Sequence, residues 1–139
     1  MLQIGLKHSE IEKVSSQNTA AALGSGTLEV YATPAMARLM EYTAMKSLEG
    51  SLEDGQTTVG IALVLKHVSA TPIGCTVTCE SELKDIDGRK LIFQINVKDS
   101  FGLIGSAEHE RFIVDSQKFF QKAQTKQTEN NEEKFHTQK

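Results

Sequence analysis

The chain has 139 residues and sets fifteen basic against eighteen acidic side chains, for a formal net charge of -3. A length like this suits one domain that buries about two-thirds of the surface its unfolded chain exposes, and no basic stripe is present of the kind that tracks a phosphate backbone, so nucleic acid is excluded as a partner. The first thirty residues carry Lys7, His8, Glu10, Glu12 and Lys13 without an apolar run of signal-peptide length, and no later run approaches the roughly 20 residues of a membrane span; no membrane association and a cytoplasmic location are expected.

Residues 1–26 are weakly periodic and end in the small-residue stretch NTAAALGSG, which reads as an irregular lead-in and a candidate lid. Residues 28–31 alternate as a short strand. Thr33 then reads as an N-cap, and Pro34 as a first helical residue whose missing N–H would have had no partner there. Met36, Leu39, Met40, Thr43 and Ser47 share one face of the helix that follows, which is expected to end near Gly50. From residue 56 the period changes from 3.6 to 2. The stretch 57–68 is nearly continuously apolar between Val59 and Leu65, as a strand covered on both faces would be, and this motivates a dimer. Cys75, Val77, Cys79, Ser81 and Leu83 form the buried side of a second strand, Asp87-Gly88 a hairpin turn, and Leu91, Phe93, Ile95 and Val97 the buried side of the return strand. Phe101-Gly102 leads into a last strand over 103–114. One helix with four longer antiparallel strands, readable as a meander, is an α+β pattern in which a curled sheet wraps the helix. Residues 1–120 form the domain, and residues 121–139, polar and poor in apolar side chains, read as a frayed helix end followed by a disordered tail.

Cys75 and Cys79 lie four strand residues apart, roughly 13 Å, too far for a disulfide. With no histidine at ligand spacing they make no metal site either, so no metal is expected and the thiols read as reduced. No nucleophile elbow, phosphate-cradling glycine loop or dinucleotide fingerprint appears. Any chemistry has to come from isolated polar residues in apolar surroundings. Glu41 sits on the flank of the helix's apolar stripe, where it either faces a cleft or pairs with Arg38 one turn away. His67 closes the first long strand. His109 and Arg111 alternate onto one face of the last strand with Gly105 and Ala107, placed to bind an anion or to pair with Glu108 or Glu110.

The stretches NTAAALGSGTLEVYATPAMARLME, TTVGIALVLKHVSATPIG, DGRKLIFQINVKDSFGLIG and EHERFIVD resemble the fluoroacetyl-CoA thioesterase-like branch of the hotdog-fold thioesterases, over about residues 5–119. The resemblance implies an α+β hotdog fold whose basic unit is a homodimer, possibly part of a higher oligomer, with active sites at the subunit interface. It implies a thioester hydrolase acting on an acyl-CoA, with no cofactor beyond the coenzyme A of the substrate. At the family's catalytic positions stand Thr33, Glu41 and His67; Gly60 holds the position that supplies a backbone N–H near the thioester carbonyl, and Arg111 lies close to the site. Those residue types suit thioester hydrolysis, which needs a nucleophile or activated water, a base to take its proton and donors aimed at the developing oxyanion. Fluoroacetyl-specialised members carry bulky aromatic residues in the lead-in over the site, whereas residues 18–27 here hold none. A short or medium acyl-CoA is therefore the expected substrate. A non-catalytic acyl-CoA binding or sensing module and a hotdog hydratase or dehydratase are the alternatives.

Overall fold

The computed structural model describes residues 2–137, with side chains through residue 129. Strand β1 (Lys7–Lys13) and a one-turn helix α1 (Ala20–Leu23) precede the long helix α2 (Thr33–Ser47); strands β2 (Gln56–His67), β3 (Thr76–Asp87), β4 (Lys90–Asp99) and β5 (Gly102–Asp115) follow, and helix α3 (Ser116–Thr137) closes the chain. All five strands form one antiparallel sheet in the order β1-β3-β4-β5-β2. The meander covers only β3 to β5. Strand β2 crosses over to pair with β5, so it is an edge, and β1 is the other edge.

Helix α2 lies against the concave face of the sheet. Its Ala35, Met36, Leu39, Met40 and Ala44 pack on Val77, Cys79 and Leu83 of β3 and on Leu91, Phe93, Ile95 and Val97 of β4. Those are the faces that period-2 alternation assigns to the interior. Burial also pushes the Cys79 thiol up to about 11; both cysteines are free. The arrangement is the helix wrapped by a sheet that the hotdog resemblance implies.

Three local expectations need correction. Residues 7–13 are not an irregular lead-in but a strand paired with β3. Its pattern escapes notice because it is inverted: Ile11 points out at 72% exposure, while Glu10 and Glu12 point inward. Glu12 is held there by the buried Tyr31 hydroxyl, which donates to Oε1 at 2.6 Å, and by Arg38 at 3.5 Å. Residues 28–31 form no strand, only isolated bridges pairing Tyr31 with Thr19 and Val30 with Pro72. Beyond Phe120, where composition points to disorder, the backbone continues as α3 to Thr137. That segment is rich in Lys, Gln and Glu, strong helix formers, and every described side chain from 116 to 129 is exposed. Residues 138 and 139 of the expected tail, like Met1 of the lead-in, lie outside the described residues.

Strand β2 contains one further departure from regular alternation. Gly60 pairs with Arg111 and Ala62 with Glu110, so Ile61 is an extra residue, a β-bulge. Before the bulge, Thr58 and Gly60 face α2; after it, Leu63, Leu65 and His67 do. Val59 and Ile61 therefore do not share a face with His67, contrary to simple period-2 counting.

Candidate active site

Two groups of polar side chains stand on the helix-facing side of β2, one at each end. The first is built on Thr33 and His67. The helix begins one residue earlier than Thr33-Pro34 suggests: Ala32 is the N-cap, with no side-chain capping bond, and Thr33 is itself the first helical residue. Its hydroxyl is therefore free of the capping role expected for it. Thr33 Oγ1 instead lies 2.9 Å from His67 Nδ1. The His67 ring packs edge-on against Tyr31 at 6.5 Å, and its Nε2 is buried without a protein partner. Burial holds the imidazole below its ordinary range, partly offset by the Ser69 backbone. A neutral His67 accepting the Thr33 hydroxyl proton is the protonation state that fits this contact.

An open cleft of about 320 Å³ adjoins the pair, bordered by Ala20, Ser25, Val30 and Tyr31. Part of the expected lead-in thus does lie at this site. Its one-turn helix is capped by Thr19 Oγ1, which accepts from Ala22 N at 3.2 Å, and is ended by Gly24 in the left-handed conformation (φ 72°).

The second group surrounds Arg111. The residue is 5% exposed, and its guanidinium is held on three sides by neutral acceptors: Nε donates to Thr58 Oγ1 at 2.9 Å, Nη2 to the Thr58 carbonyl at 3.1 Å, and Nη1 to His109 Nε2 at 3.1 Å. Burial lowers the Arg111 pKa, opposed by the charge of Glu41. None of its three hydrogen-bond partners is an anion. The nearest carboxylate is Glu41, whose Oε2 lies 3.6 Å from Nη1. This replaces both surface pairings open on the sequence: Arg38 turns to Glu12, and Arg111 faces the helix rather than Glu108 or Glu110. Glu41 is not buried in the protomer; its side chain is 48% exposed, at the mouth of a polar recess.

Gly60 forms the floor of that recess. A Cβ built on it would stand 2.7 Å from Glu41 Oε2, 3.3 Å from His109 Cε1 and 3.4 Å from Arg111 Nη1. Only a residue without a side chain lets the carboxylate approach the strand so closely. Of the five site residues expected from the sequence, the structure joins Thr33 with His67, and Glu41 with Gly60 and Arg111. It does not join the two groups within one protomer. Eight helical residues separate Thr33 from Glu41, about 12 Å, and Gly60 lies roughly 20 Å along β2 from His67. Thr58 escapes sequence reasoning altogether, because a threonine in a strand carries no signal of what it will bind. Among the described residues, no group of three or more His, Cys, Asp or Glu side chains is placed to hold a metal ion, and no helix is long and apolar enough to cross a membrane.

Comparison with known proteins places these residues in a family context. Residues 14–117 match the model described as fluoroacetyl-CoA-specific thioesterase. The chain is 38% identical over 98 residues to the fluoroacetyl-CoA thioesterase of Streptantibioticus cattleyicolor, covering 70% of each sequence. The solved structure of the fluoroacetyl-CoA thioesterase FlK superposes with a TM-score of 0.85 at 31% identity, over 91% of this chain and 98% of that one. A phenylalanine-to-alanine mutant of that enzyme, in complex with fluoroacetate and CoA, superposes with a TM-score of 0.80, also at 31% identity, over 85% and 99%. The hotdog fold follows from these likenesses and from the sheet order together.

Proposed function

The chain belongs to the fluoroacetyl-CoA-specific thioesterase family, and from that premise we propose that it is an acyl-CoA thioesterase, hydrolysing a short or medium acyl-CoA to the free acid and CoA. The observation that carries the reading is the Thr33–His67 contact: a hydroxyl not spent on helix capping, 2.9 Å from an imidazole that burial keeps neutral. His67 takes the proton from the attacking oxygen, either the Thr33 hydroxyl or a water held by it. The carbon–sulfur bond breaks and the departing CoA sulfur takes up a proton; where Thr33 is the attacking group, water then cleaves the acyl-threonine ester and restores the hydroxyl, so that by either route thioester and water become acid and thiol. Glu41 completes the acid/base set, its carboxylate oriented by Arg111, and the Gly60 N–H serves as a donor for the oxyanion.

The two half-sites become one in a homodimer. Strand β2 is a 12-residue open edge with Ile61 and Val64 exposed at 51% and 68%, a form that single chains rarely leave unpaired. Antiparallel pairing with a second copy, centred on Val64 with Ile61 of each strand taken up in its bulge, sets Gly60 opposite the partner's His67. Each site then combines Thr33 and His67 of one chain with Glu41, Gly60 and Arg111 of the other. Acyl preference follows from the cleft beside His67, whose Ala20 and Ser25 leave room that an aromatic residue would fill. The free cysteines fit work in the cytoplasm.

The test is release of free CoA thiol from acetyl, butyryl, hexanoyl and phenylacetyl-CoA by the native protein, Glu41→Ala and His67→Ala. Turnover falling by about 10²-fold or more in both variants supports the reading, since positioned acid/base groups contribute about that much. Undiminished turnover in either variant overturns its assigned role. CoA-ester binding without thiol release identifies a sensing module instead, and loss of an enoyl-CoA's conjugated absorbance without free thiol a hydratase.

A further inference from the structure

His109 is fully inside the protomer at 1% exposure, yet both of its ring nitrogens are engaged. Nδ1 lies 2.7 Å from the carbonyl of Ala62, beside the bulge in β2. A carbonyl can only accept, so Nδ1 carries the proton. Nε2 therefore presents its lone pair, and it does so to Arg111 Nη1 at 3.1 Å. Nη1 is also the nitrogen nearest Glu41 Oε2. One continuous chain thus runs from the bulge carbonyl through the imidazole and the guanidinium to the carboxylate.

From this geometry we infer that His109 is a positioning residue: its neutral Nε2 fixes the Arg111 guanidinium so that Nη1 holds the Glu41 carboxylate over Gly60, while His109 itself touches no substrate. The inference rests on the proposed role of Glu41. Thr58 anchors two edges of the guanidinium, but its two acceptors lie on the Nε and Nη2 side; among the described residues, nothing except His109 accepts from Nη1 at hydrogen-bond distance. The groups facing the imidazole all bear on its charge. Burial and the Arg111 cation on its own strand favour the neutral ring, against the Ala62 carbonyl on β2, Glu41 on α2 and Glu110 on β5; the Phe93 ring on β4, 6.3 Å away, adds only apolar cover. A protonated ring would turn an N–H toward a guanidinium that can only donate, and the chain would break at that link.

Two amides separate the two nitrogens. In His109→Asn, the amide reaches the Nδ1 position and keeps a donor for Ala62 but leaves Arg111 Nη1 without an acceptor. In His109→Gln, the amide reaches the Nε2 position and restores the acceptor while giving up the bond to Ala62. Thiol release is expected to fall about tenfold or more in kcat for His109→Asn, with KM little changed, and to recover most of that loss in His109→Gln. A purely structural role predicts the reverse or equal damage, as read by thermal melting alongside. The double variant His109→Asn/Glu41→Gln is expected to be no slower than Glu41→Gln alone, because the imidazole acts only through that carboxylate. Equal activity of folded His109→Asn and native protein, a folded His109→Gln as slow as Glu41→Gln, or additive losses in the double variant would each overturn the inference. Native-level turnover by Glu41→Gln would instead overturn the role of Glu41 on which it rests.

Discussion

Gly60→Ala tests whether the approach of Glu41 to the strand matters for the reaction rather than for folding. The new Cβ would meet Glu41 Oε2 at 2.7 Å, against 3.4 Å for the near limit of ordinary contact, so the carboxylate has to retreat by about 0.7 Å, the difference of the two. The other two neighbours sit at 3.3 and 3.4 Å and need hardly move. Because Oε2 is the far end of a half-exposed side chain, the retreat costs little: on the order of 1 kcal/mol of crowding, offset by about 0.5–1 kcal/mol from replacing glycine within a strand. The melting temperature should therefore barely change. Activity should change more, since a misplacement of about 1 Å can cost as much as 10²-fold. We expect kcat/KM for thiol release to fall about 10- to 50-fold, roughly 1.4–2.3 kcal/mol of transition-state stabilisation. The backbone N–H of residue 60 survives the substitution, so such a loss reports on the carboxylate and not on the oxyanion donor. A folded Gly60→Ala with native kcat/KM would refute the idea that the recess positions Glu41.

Three other outcomes follow from the same geometry. Mixing Thr33→Ala and Glu41→Ala chains, each inactive alone, should restore about a quarter of native turnover if chains assort randomly, because half of the dimers then carry one intact site; no recovery after verified exchange of subunits would argue for a site within one chain. His67 and His109 are both held below the ordinary 6.5 by burial, so the folded state refuses protons that the unfolded chain accepts. Their contribution to stability is present above pH 6.5 and is lost as pH falls through the folded values; the melting temperature should decline between pH 6.5 and 5, with thiol release falling on the acid side as His67 charges, and a flat melting temperature over that range would contradict the burial argument. Gly105→Ala crowds the Met36 sulfur and the Lys66 carbonyl, the latter at 3.2 Å on the backbone, and should destabilise by about 1–3 kcal/mol in a urea titration while leaving the Glu41 recess intact.

What the sequence reveals of this molecule depends on whether a feature has a period. The apolar stripe of α2 and the alternation of β3 and β4 are legible because burial imposes 3.6 or 2 on the residue types, and the structure buries the same side chains. Strand β1 was illegible for the opposite reason: Glu10 and Glu12 point inward, Glu12 to meet Tyr31 and Arg38 and Glu10 to pair with His8, so polarity runs against burial. The Thr-Pro pair marks a helix start, yet a shift of a single residue moves Thr33 from capping to facing His67, and only coordinates reveal such a shift. The family resemblance supplied Thr33, Glu41, His67, Gly60 and Arg111 as a set. Its division into two half-sites, and the Thr58 hold on the guanidinium, depend on pairings 34 or more residues apart in the chain and leave no local trace, whereas the shared strand face of His109 and Arg111, two residues apart, is legible from alternation.

The bulge at Ile61 has the force of a reading-frame correction. Gly60 and His67 are seven positions apart, an odd number, and a regular strand would send them to opposite sides of the sheet. The bulge takes the supernumerary residue out of the alternation, so that both ends of the strand speak to the same helix. Deleting Ile61 would shorten the interval to six, an even count that keeps Gly60 and His67 on one face without a bulge; straightening the strand with Ile61 kept is what would rotate His67 to the outer face, turn Val64 and Lys66 inward and cost Thr33 its partner. An odd interval between a glycine and a histidine in one apolar strand is thus a mark that can be looked for in other chains of this fold, an insertion written into the count rather than into any residue.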